Sequence, residues 1–239
     1  VEDGKEVVHP AILAGTEFLF GRVARQAKEL EKAVGHFQRA NSIAGQANIA
    51  AVAINAGVAL GEALLVSGKR SQALEVLRQM TKITSAAQSP LQERSANELL
   101  AQAEAAEKNF DAAINAGSRA LEISKGMNLN GAIPLDLFNL ARFQFLAQKG
   151  SEALSLFKEA APGIEAMGQH PVVKEFYYFQ GMALLQQGQL EDARASLETG
   201  LGAAKSANDL SKVVSSLDHL AIIEEKSGNK ESARELLNS

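Results

Sequence analysis

Apolar and small residues recur along this chain in a pattern that repeats every 40 residues. An alanine stands at the same place in each of six successive units: Ala33, Ala73, Ala113, Ala153, Ala193 and Ala233. Twelve residues before each alanine is a second small residue: Gly21, Gly61, Ala101, Ala141, Gly181 and Ala221. Four residues after it, five of the units carry a large apolar residue, and only the third has Gly117 there. A gapless repeat of this length indicates similar structural units that stack side by side.

Each unit is predicted to form two helices joined by a tight turn, because residues three and four apart share one helix face. The predicted first helices are residues 11–26, 49–66, 91–107, 133–148, 171–187 and 210–227. The predicted second helices are residues 30–44, 72–86, 112–125, 152–166, 190–206 and 230–238. Ser71, Asp111 and Ser151 precede or begin second helices and are predicted N-caps. No low-complexity linker interrupts the repeats, so residues 1–239 are predicted to form a single domain of about six repeats, the last incomplete.

The fifth unit carries the clearest sequence signature. Gly181 lies mid-way in the first helix, Gly188 marks the turn, and Glu191, Ala193 and Leu197 follow in the second helix. This order of residues resembles the tetratricopeptide repeat (TPR), and the resemblance extends over nearly the whole chain. It implies an all-α fold, a right-handed superhelical solenoid of antiparallel helix pairs. The period of 40 residues, rather than about 34, resembles TPR arrays with longer helices. The positions where a first TPR helix usually carries an aromatic residue include Ala24, Leu64, Glu104 and Gln144.

Composition restricts the class of partner. The formal net charge is −4 and the pI about 5.7, without the basic excess of nucleic-acid-binding proteins, so we expect no nucleic-acid partner. No apolar run reaches the roughly 18 residues of a spanning helix, so we expect no membrane insertion. The chain has no cysteine, which excludes disulfides and thiolate metal sites. A cytoplasmic location is favoured, and a secreted or periplasmic one stays open.

Catalytic and metal-binding motifs are absent from the sequence. The four histidines are not at ligand spacing, and no H-E-x-x-H motif occurs. Residues 68–71 resemble the end of a P-loop, but that motif needs glycine where Ala63 stands and serine or threonine where Arg70 stands. We therefore expect that the protein is not an enzyme and has no catalytic residue, metal site or cofactor.

The TPR resemblance implies that the first helices line a concave groove. Positions three or four residues apart along each first helix stay on this face. The candidate partner-binding residues are Arg22, Asn55, Glu62, Glu98, Gln102, Phe138, Arg142, Phe145, Glu175, Tyr178 and Met182. Phe138, Arg142, Phe145, Tyr178 and Met182 form the predicted centre of the site, because aromatic residues and arginine often dominate binding energy. For Phe138, Phe145 and Tyr178, packing inside the superhelix is an alternative that the sequence leaves open.

The function that follows is a non-enzymatic interaction module or scaffold, which binds a peptide or helix of a partner protein in its groove. The alternative is a regulatory sensor that binds a signalling peptide or small ligand and controls an attached or associated effector. The Lys and Asn residues of the carboxylate clamp found in some chaperone-binding TPR proteins do not occur in register here. The sixth repeat stops soon after Ala233. We therefore expect either a segment cut from a longer array or self-association through uncapped ends that expose Leu236 and Leu237.

Overall fold

A computed structural model of the chain describes residues 9–238, which form twelve helices and no strand. The chain divides into two compact units, of which unit 1 ends at Ile123 and unit 2 begins at Ser124. The first six helices are α1 (Pro10–Gln26), α2 (Leu30–Gln46), α3 (Ala50–Val66), α4 (Arg70–Ala86), α5 (Pro90–Ala106) and α6 (Phe110–Gly126). The others are α7 (Ile133–Leu146), α8 (Gly150–Glu165), α9 (Val172–Gln186), α10 (Leu190–Ser206), α11 (Leu210–Lys226) and α12 (Lys230–Leu237). The all-α prediction is confirmed, and the predicted ends differ from the observed ones by at most two residues.

One residue in the left-handed backbone region closes each connection between consecutive helices, at intervals of 20 residues. Glycine fills four of these positions, and Lys, Asn or Gln fills the others with φ between 51° and 63°. In the first connection, the N–H of Glu29 bonds the carbonyl of Ala24 at 2.9 Å, and the N–H of Lys28 bonds that of Arg25 at 3.0 Å. This is the Schellman arrangement, which satisfies carbonyl groups at the helix end. The spacing of these turns makes α1 to α11 similar in length, while α12 has 8 residues.

The same turn explains why the predicted N-caps are wrong. Before α4 and α8, the residue after the left-handed one is already the N-cap of the helix, namely Lys69 and Lys149. Ser71, Asp111 and Ser151 therefore lie inside the first turn of α4, α6 and α8. A short Schellman connection leaves no room for a separate capping residue further along the chain.

The alanine positions of the repeat lie in the core. The fully buried members are Ala33, Ala73, Ala113, Ala153 and Ala193. Ala233 is 2% exposed. The second column of small residues allows the two helices of a pair to approach: a β-carbon on Gly21 would lie only 2.6 Å from the ring of Phe37. This burial confirms the predicted register of the repeat.

Buried carboxylates occupy two of the positions where a first TPR helix usually carries an aromatic residue. Glu104 in α5 is 3% exposed, and its Oε1 accepts a hydrogen bond from Arg78 at 2.7 Å while its Oε2 accepts one from Asn109 at 3.0 Å. In unit 2, Glu224 of α11 pairs with Arg194 of α10 at 2.9 Å. Each ion pair joins a second helix to the first helix of the next pair. Polar contacts therefore supplement apolar packing between neighbouring repeats.

Candidate partner-binding surfaces

A groove crosses the first helices of unit 1, where α1 contacts α3 and α3 contacts α5. It encloses about 450 Å³. Its lining residues are Phe18, Arg22, Arg25, Asn55, Val58, Ala59, Glu62, Leu91, Gln92, Ser95, Glu98 and Leu99. We call this surface the unit 1 groove. Its members from the predicted set are Arg22, Asn55, Glu62 and Glu98, which the structure thus brings together.

The unit 1 groove combines a polar rim with an apolar floor. Arg25 forms an ion pair with Glu62 across α1 and α3. Gln92 of α5 donates its Nε2–H to Oδ1 of Asn55 in α3 at 3.3 Å. The apolar members include Phe18, which packs against the buried core of unit 1. A surface with charges of both signs over an apolar base can hold both polar and apolar side chains of a peptide.

The predicted set and the observed groove have four residues in common and are otherwise different. Gln102 is half-buried one turn beyond Glu98 and does not line the groove. Arg25 and Gln92 line the groove but are missing from the predicted set. Arg25 lies three residues after Arg22, so the helical spacing used for the prediction already contained it. Extending that spacing from Glu98 by two steps of three residues toward the start of α5 would have found Gln92.

In unit 2, two of the predicted aromatic residues lie in the core. Phe138 is 4% exposed and Phe145 is 9% exposed. The ring centre of Phe138 lies 5.9 Å from that of Phe176 and 6.4 Å from that of Phe157. Aromatic rings from α8 and α9 thus enclose Phe138, and Phe179 covers Phe145 at 6.1 Å. Of the two alternatives that the sequence leaves open, core packing is the one observed for both residues.

Arg142 is half-buried beside the rings of Phe138, Phe143 and Phe179. Its guanidinium carbon lies 5.7 Å from the ring centre of Phe138, 5.4 Å from that of Phe143 and 5.9 Å from that of Phe179. Each distance is within the range of a cation–π contact. Burial lowers the pKa of Arg142, and the negative charge of Glu175 opposes that shift. The side chain is therefore a partly desolvated cation that aromatic rings hold in place.

Tyr178 and Met182 lie one turn apart on α9, and both are half-buried. The Nζ of Lys212 lies 4.1 Å from the ring centre of Tyr178 and 2.9 Å from Oε2 of Glu175. The ring of His219 contacts Tyr178 with centres 5.5 Å apart. Tyr178 thus belongs partly to the packing of α9 against α11 and partly to the surface. We call the unit 2 face the surface formed by Arg142, Glu175, Tyr178, Phe179, Met182 and Lys212.

The outer side of α1 carries exposed apolar residues. Phe20 is 53% exposed and Val23 is 64% exposed. One repeat later, the equivalent residues in α3 are Leu60, which is 6% exposed, and Ala63, which is fully buried. The preceding second helix, α2, packs against α3 and so covers this side of it. Within the part of the chain that the structure describes, no helix takes the corresponding place beside α1.

At the other end of the described residues, the two leucines of α12 differ. Leu237 is 58% exposed, as predicted. Leu236 packs against the apolar cluster of α10 and α11, so the prediction that it needs cover from another molecule is wrong.

Residues 9–238 contain neither a membrane-spanning helix nor a metal-binding cluster. No helix there is long and apolar enough to cross a membrane. No group of three His, Asp or Glu side chains there could hold a metal ion.

The family model of the tetratricopeptide repeat matches residues 58–128 and 164–208. No curated protein sequence matches the chain. The apo form of RapI is similar over 98% of this chain and 83% of its own, with 16% identity and a TM-score of 0.75. A putative kinesin light chain from Podosopora anserina, described as having nearly identical TPR-like repeats, is similar over 84% of this chain and 99% of its own, with 19% identity and a TM-score of 0.68.

A third structure is a signal transduction ATPase with a tetratricopeptide repeat sensor, PH0952 from Pyrococcus horikoshii. It is similar over 97% of this chain but only 36% of its own, with 13% identity and a TM-score of 0.82. At such identities the similarity establishes the fold alone. Together with the family match, it identifies the helix pairs of this chain as TPR-like repeats, and the predicted family and fold class are confirmed. The TPR fold suggests a protein–protein interaction module, and TPR families are generally non-enzymatic scaffolds.

Proposed function

We propose that this protein is a non-enzymatic module that binds a peptide or helix of a partner protein on the exposed faces of its first helices. The observation that carries the proposal is the unit 1 groove. Its volume of about 450 Å³ falls within the roughly 300–1,000 Å³ range of ligand sites. The groove combines exposed charges with an apolar floor, and residues from three helices converge on it.

The dimensions of the groove favour a short segment as its occupant. Packed helices lie roughly 8–10 Å apart, so a groove across α1, α3 and α5 spans roughly 16–20 Å. An extended chain rises about 3.4 Å per residue, so about five or six residues cross that distance. Arg22 at one side of the groove is positively charged, and Glu98 at the other is negatively charged and pairs with Arg94 of its own helix at 3.2 Å. This asymmetry gives a bound peptide a preferred direction.

The experiment is selection of binders from a library of random dodecapeptides, followed by titration calorimetry of the best synthetic peptide. Arg22→Glu reverses an exposed charge in the groove. Lys82→Glu makes the same change in charge on α4, a second helix, where the side chain is also exposed. We expect Arg22→Glu to change the affinity by at least about tenfold, equivalent to about 1.4 kcal/mol, while Lys82→Glu leaves it unchanged.

Equal changes in peptide affinity for Arg22→Glu and Lys82→Glu would contradict the proposal. Binding would then depend on the net charge of the protein and not on where the charge lies. Failure to select any peptide that binds the folded protein would contradict it as well.

The second candidate is a sensor that responds to a signalling peptide or small ligand and controls an attached or associated effector. The observation that favours it is the similarity to PH0952, in which the repeats form a named sensor region. A sensor is expected to change shape when its ligand binds. Small-angle X-ray scattering of the protein with and without a selected peptide distinguishes the two functions, because a passive scaffold keeps its radius of gyration.

A further inference from the structure

We propose that Arg142 is the receptor for an acidic side chain of the bound peptide, a carboxylate flanked by apolar residues. This inference rests on the proposed function, because it names the chemistry of the ligand at the unit 2 face. Three observations carry it: the way in which the guanidinium is held, its lack of an anionic partner, and the apolar surface beside it.

The first observation is that the guanidinium is fixed by rings from two helices. Phe138 and Phe143 come from α7, and Phe179 comes from α9. A side chain held in this way has already lost much of the rotamer freedom that an arginine normally loses on binding. Its planar fork of N–H donors is therefore preorganised for the two oxygens of a carboxylate.

The second observation is that no hydrogen bond or ion pair engages Arg142 within residues 9–238. Glu175 acts on it only through the electrostatic field. The carboxylate of Glu175 is instead held by Lys212, at 2.9 Å. Arg194, on α10 in the same unit, does have such a partner and lies 2.9 Å from Glu224.

An unpaired cation in this setting has a physical consequence. Aromatic rings replace part of the water around Arg142 and do not supply hydrogen-bond acceptors of equal strength. A carboxylate that arrives with a ligand restores those bonds in a site of reduced dielectric, where charge-assisted hydrogen bonds are stronger than in water. An apolar or basic ligand residue would leave the guanidinium unsatisfied. The site therefore discriminates in favour of Asp or Glu.

The third observation concerns the residues that flank the acidic one. Phe179, whose ring centre lies 5.9 Å from the guanidinium carbon of Arg142, shares α9 with Tyr178 and Met182, and all three are half-buried. Aromatic and methionine side chains suit apolar ligand residues of varied shape. We therefore infer a ligand with an Asp or Glu next to apolar residues.

The test uses peptides selected on the wild-type protein from a library fused at its C-terminus, so that no free terminal carboxylate competes. The expected result is an Asp or Glu at a constant position among the selected sequences. The best peptide is then made with an amidated C-terminus, together with a version in which that acid is replaced by its amide. On the wild-type protein we expect the replacement to weaken binding by about tenfold or more.

The same two peptides are then titrated against Arg142→Met and Lys158→Glu. Methionine keeps an apolar side chain of similar length over the rings, so Arg142→Met should stay folded, which circular dichroism checks. The acidic and amide peptides should bind Arg142→Met equally. Lys158→Glu changes an exposed charge on α8 and should keep the preference for the acid.

Two results would overturn the inference while leaving the proposed function intact. One is a set of tight-binding peptides without a constant acid. The other is an acid whose replacement weakens binding equally on the wild-type protein and on Arg142→Met. Should no peptide bind the folded wild-type protein, the proposed function and this inference would fail together.

Discussion

A β-carbon on Gly181 would lie 2.6 Å from Cγ of Leu197, the fully buried side chain that faces it from the paired helix. This contact recurs between Gly21 and Phe37, one of the equivalent pairs of positions. Contact between the two helices of a pair therefore depends on the missing side chain and on the apolar residue that fills its place.

The first prediction is that Gly181→Ala destabilises the protein by about 1–3 kcal/mol because it overpacks this contact. The control is Gly202→Ala in α10, where a β-carbon would meet nothing within 4 Å. Alanine has the higher helix propensity at both positions, so the control should gain up to about 1 kcal/mol. Urea denaturation measures both variants. Equal stabilisation of the two would show that the helices are not in close contact at Gly181.

The second prediction concerns the buried carboxylate of Glu104. Arg78→Ala removes both hydrogen bonds to Oε1 of Glu104 and leaves the one from Asn109 to Oε2. It should cost about 1–3 kcal/mol, because Oε1 is then a buried acceptor without a donor. Adding Glu104→Leu should restore most of that loss, since Leu64 fills the equivalent position in the preceding repeat and is 3% exposed. If the double variant is less stable than Arg78→Ala alone, the polar contact has some role other than satisfying a buried charge. Urea denaturation of the wild-type protein, Arg78→Ala and the double variant measures the stability of each.

The third prediction is a pH dependence that originates at the start of α11. Asp209 accepts a hydrogen bond from Lys174 at 2.7 Å and one from the backbone N–H of Lys212 at 3.1 Å. The hydrogen bond from Lys174 has the larger effect and that from the backbone of Lys212 the smaller, and both lower the pKa of Asp209 below its usual value of 3.8. A lowered pKa means that the stabilisation is fully present above the unfolded-state pKa and is lost as the pH falls through the folded-state pKa.

Asp209→Asn tests this dependence, because asparagine also caps a helix well but cannot form the ion pair. The wild-type protein should be the more stable at neutral pH. The difference in unfolding free energy should shrink as the pH is lowered from about 4 toward 2, below the usual pKa of Asp. Parallel curves for the two proteins over that range would exclude Asp209 as a source of the pH dependence.

The fourth prediction is self-association through the outer side of α1. In the following repeat, α2 covers Leu60 and Ala63, the residues of α3 that are equivalent to Phe20 and Val23. We expect that a second copy of this chain covers them in solution, with its α12 against α1 in a head-to-tail contact. Sedimentation velocity over a range of concentrations should show association that the double variant Phe20→Ser and Val23→Ser abolishes.

Val66→Ser is the control for that experiment, because Val66 is 62% exposed at the end of α3. It should associate like the wild-type protein. A wild-type protein that stays monomeric at every concentration would rule the head-to-tail contact out.

The helices could be predicted from the sequence because the same 40-residue pattern determines the position of each helix. The alanine column and the small residue twelve positions earlier determine which face of each helix is buried, and the burial of Ala153 and Ala193 agrees. The helix ends were harder to predict, because non-glycine residues such as Gln88 and Gln148 adopt the left-handed backbone conformation at the turns. Nothing in those side chains distinguishes a turn from a helix interior, and only the period of 20 residues identifies them.

The candidate site could be predicted only in part. Helical spacing located the residues of the unit 1 groove, because side chains there point outward from regular helices. It was misleading for Phe138, where the large rings of Phe157 and Phe176 enclose the side chain. Such packing depends on the sizes of neighbours from other helices, which a single-helix pattern does not contain.

The surface position of Phe179 could have been predicted from the sequence. Four consecutive aromatic residues, 176–179, span more than half of a helix circumference, so they cannot all face the core. One of them had to reach the surface beside Tyr178. Lys212 was harder to find, because its contact with Tyr178 joins two helices and depends on how they pack.

The central claim is that the first helices hold the ligand, and a photo-crosslinking map tests it most directly. A selected peptide carries benzophenone-alanine at its main apolar position, and mass spectrometry locates the attachment after irradiation. The claim predicts attachment to α1, α3 or α5 at the unit 1 groove, or to α7, α9 or α11 at the unit 2 face. Attachment confined to second helices such as α4 and α10 would contradict it.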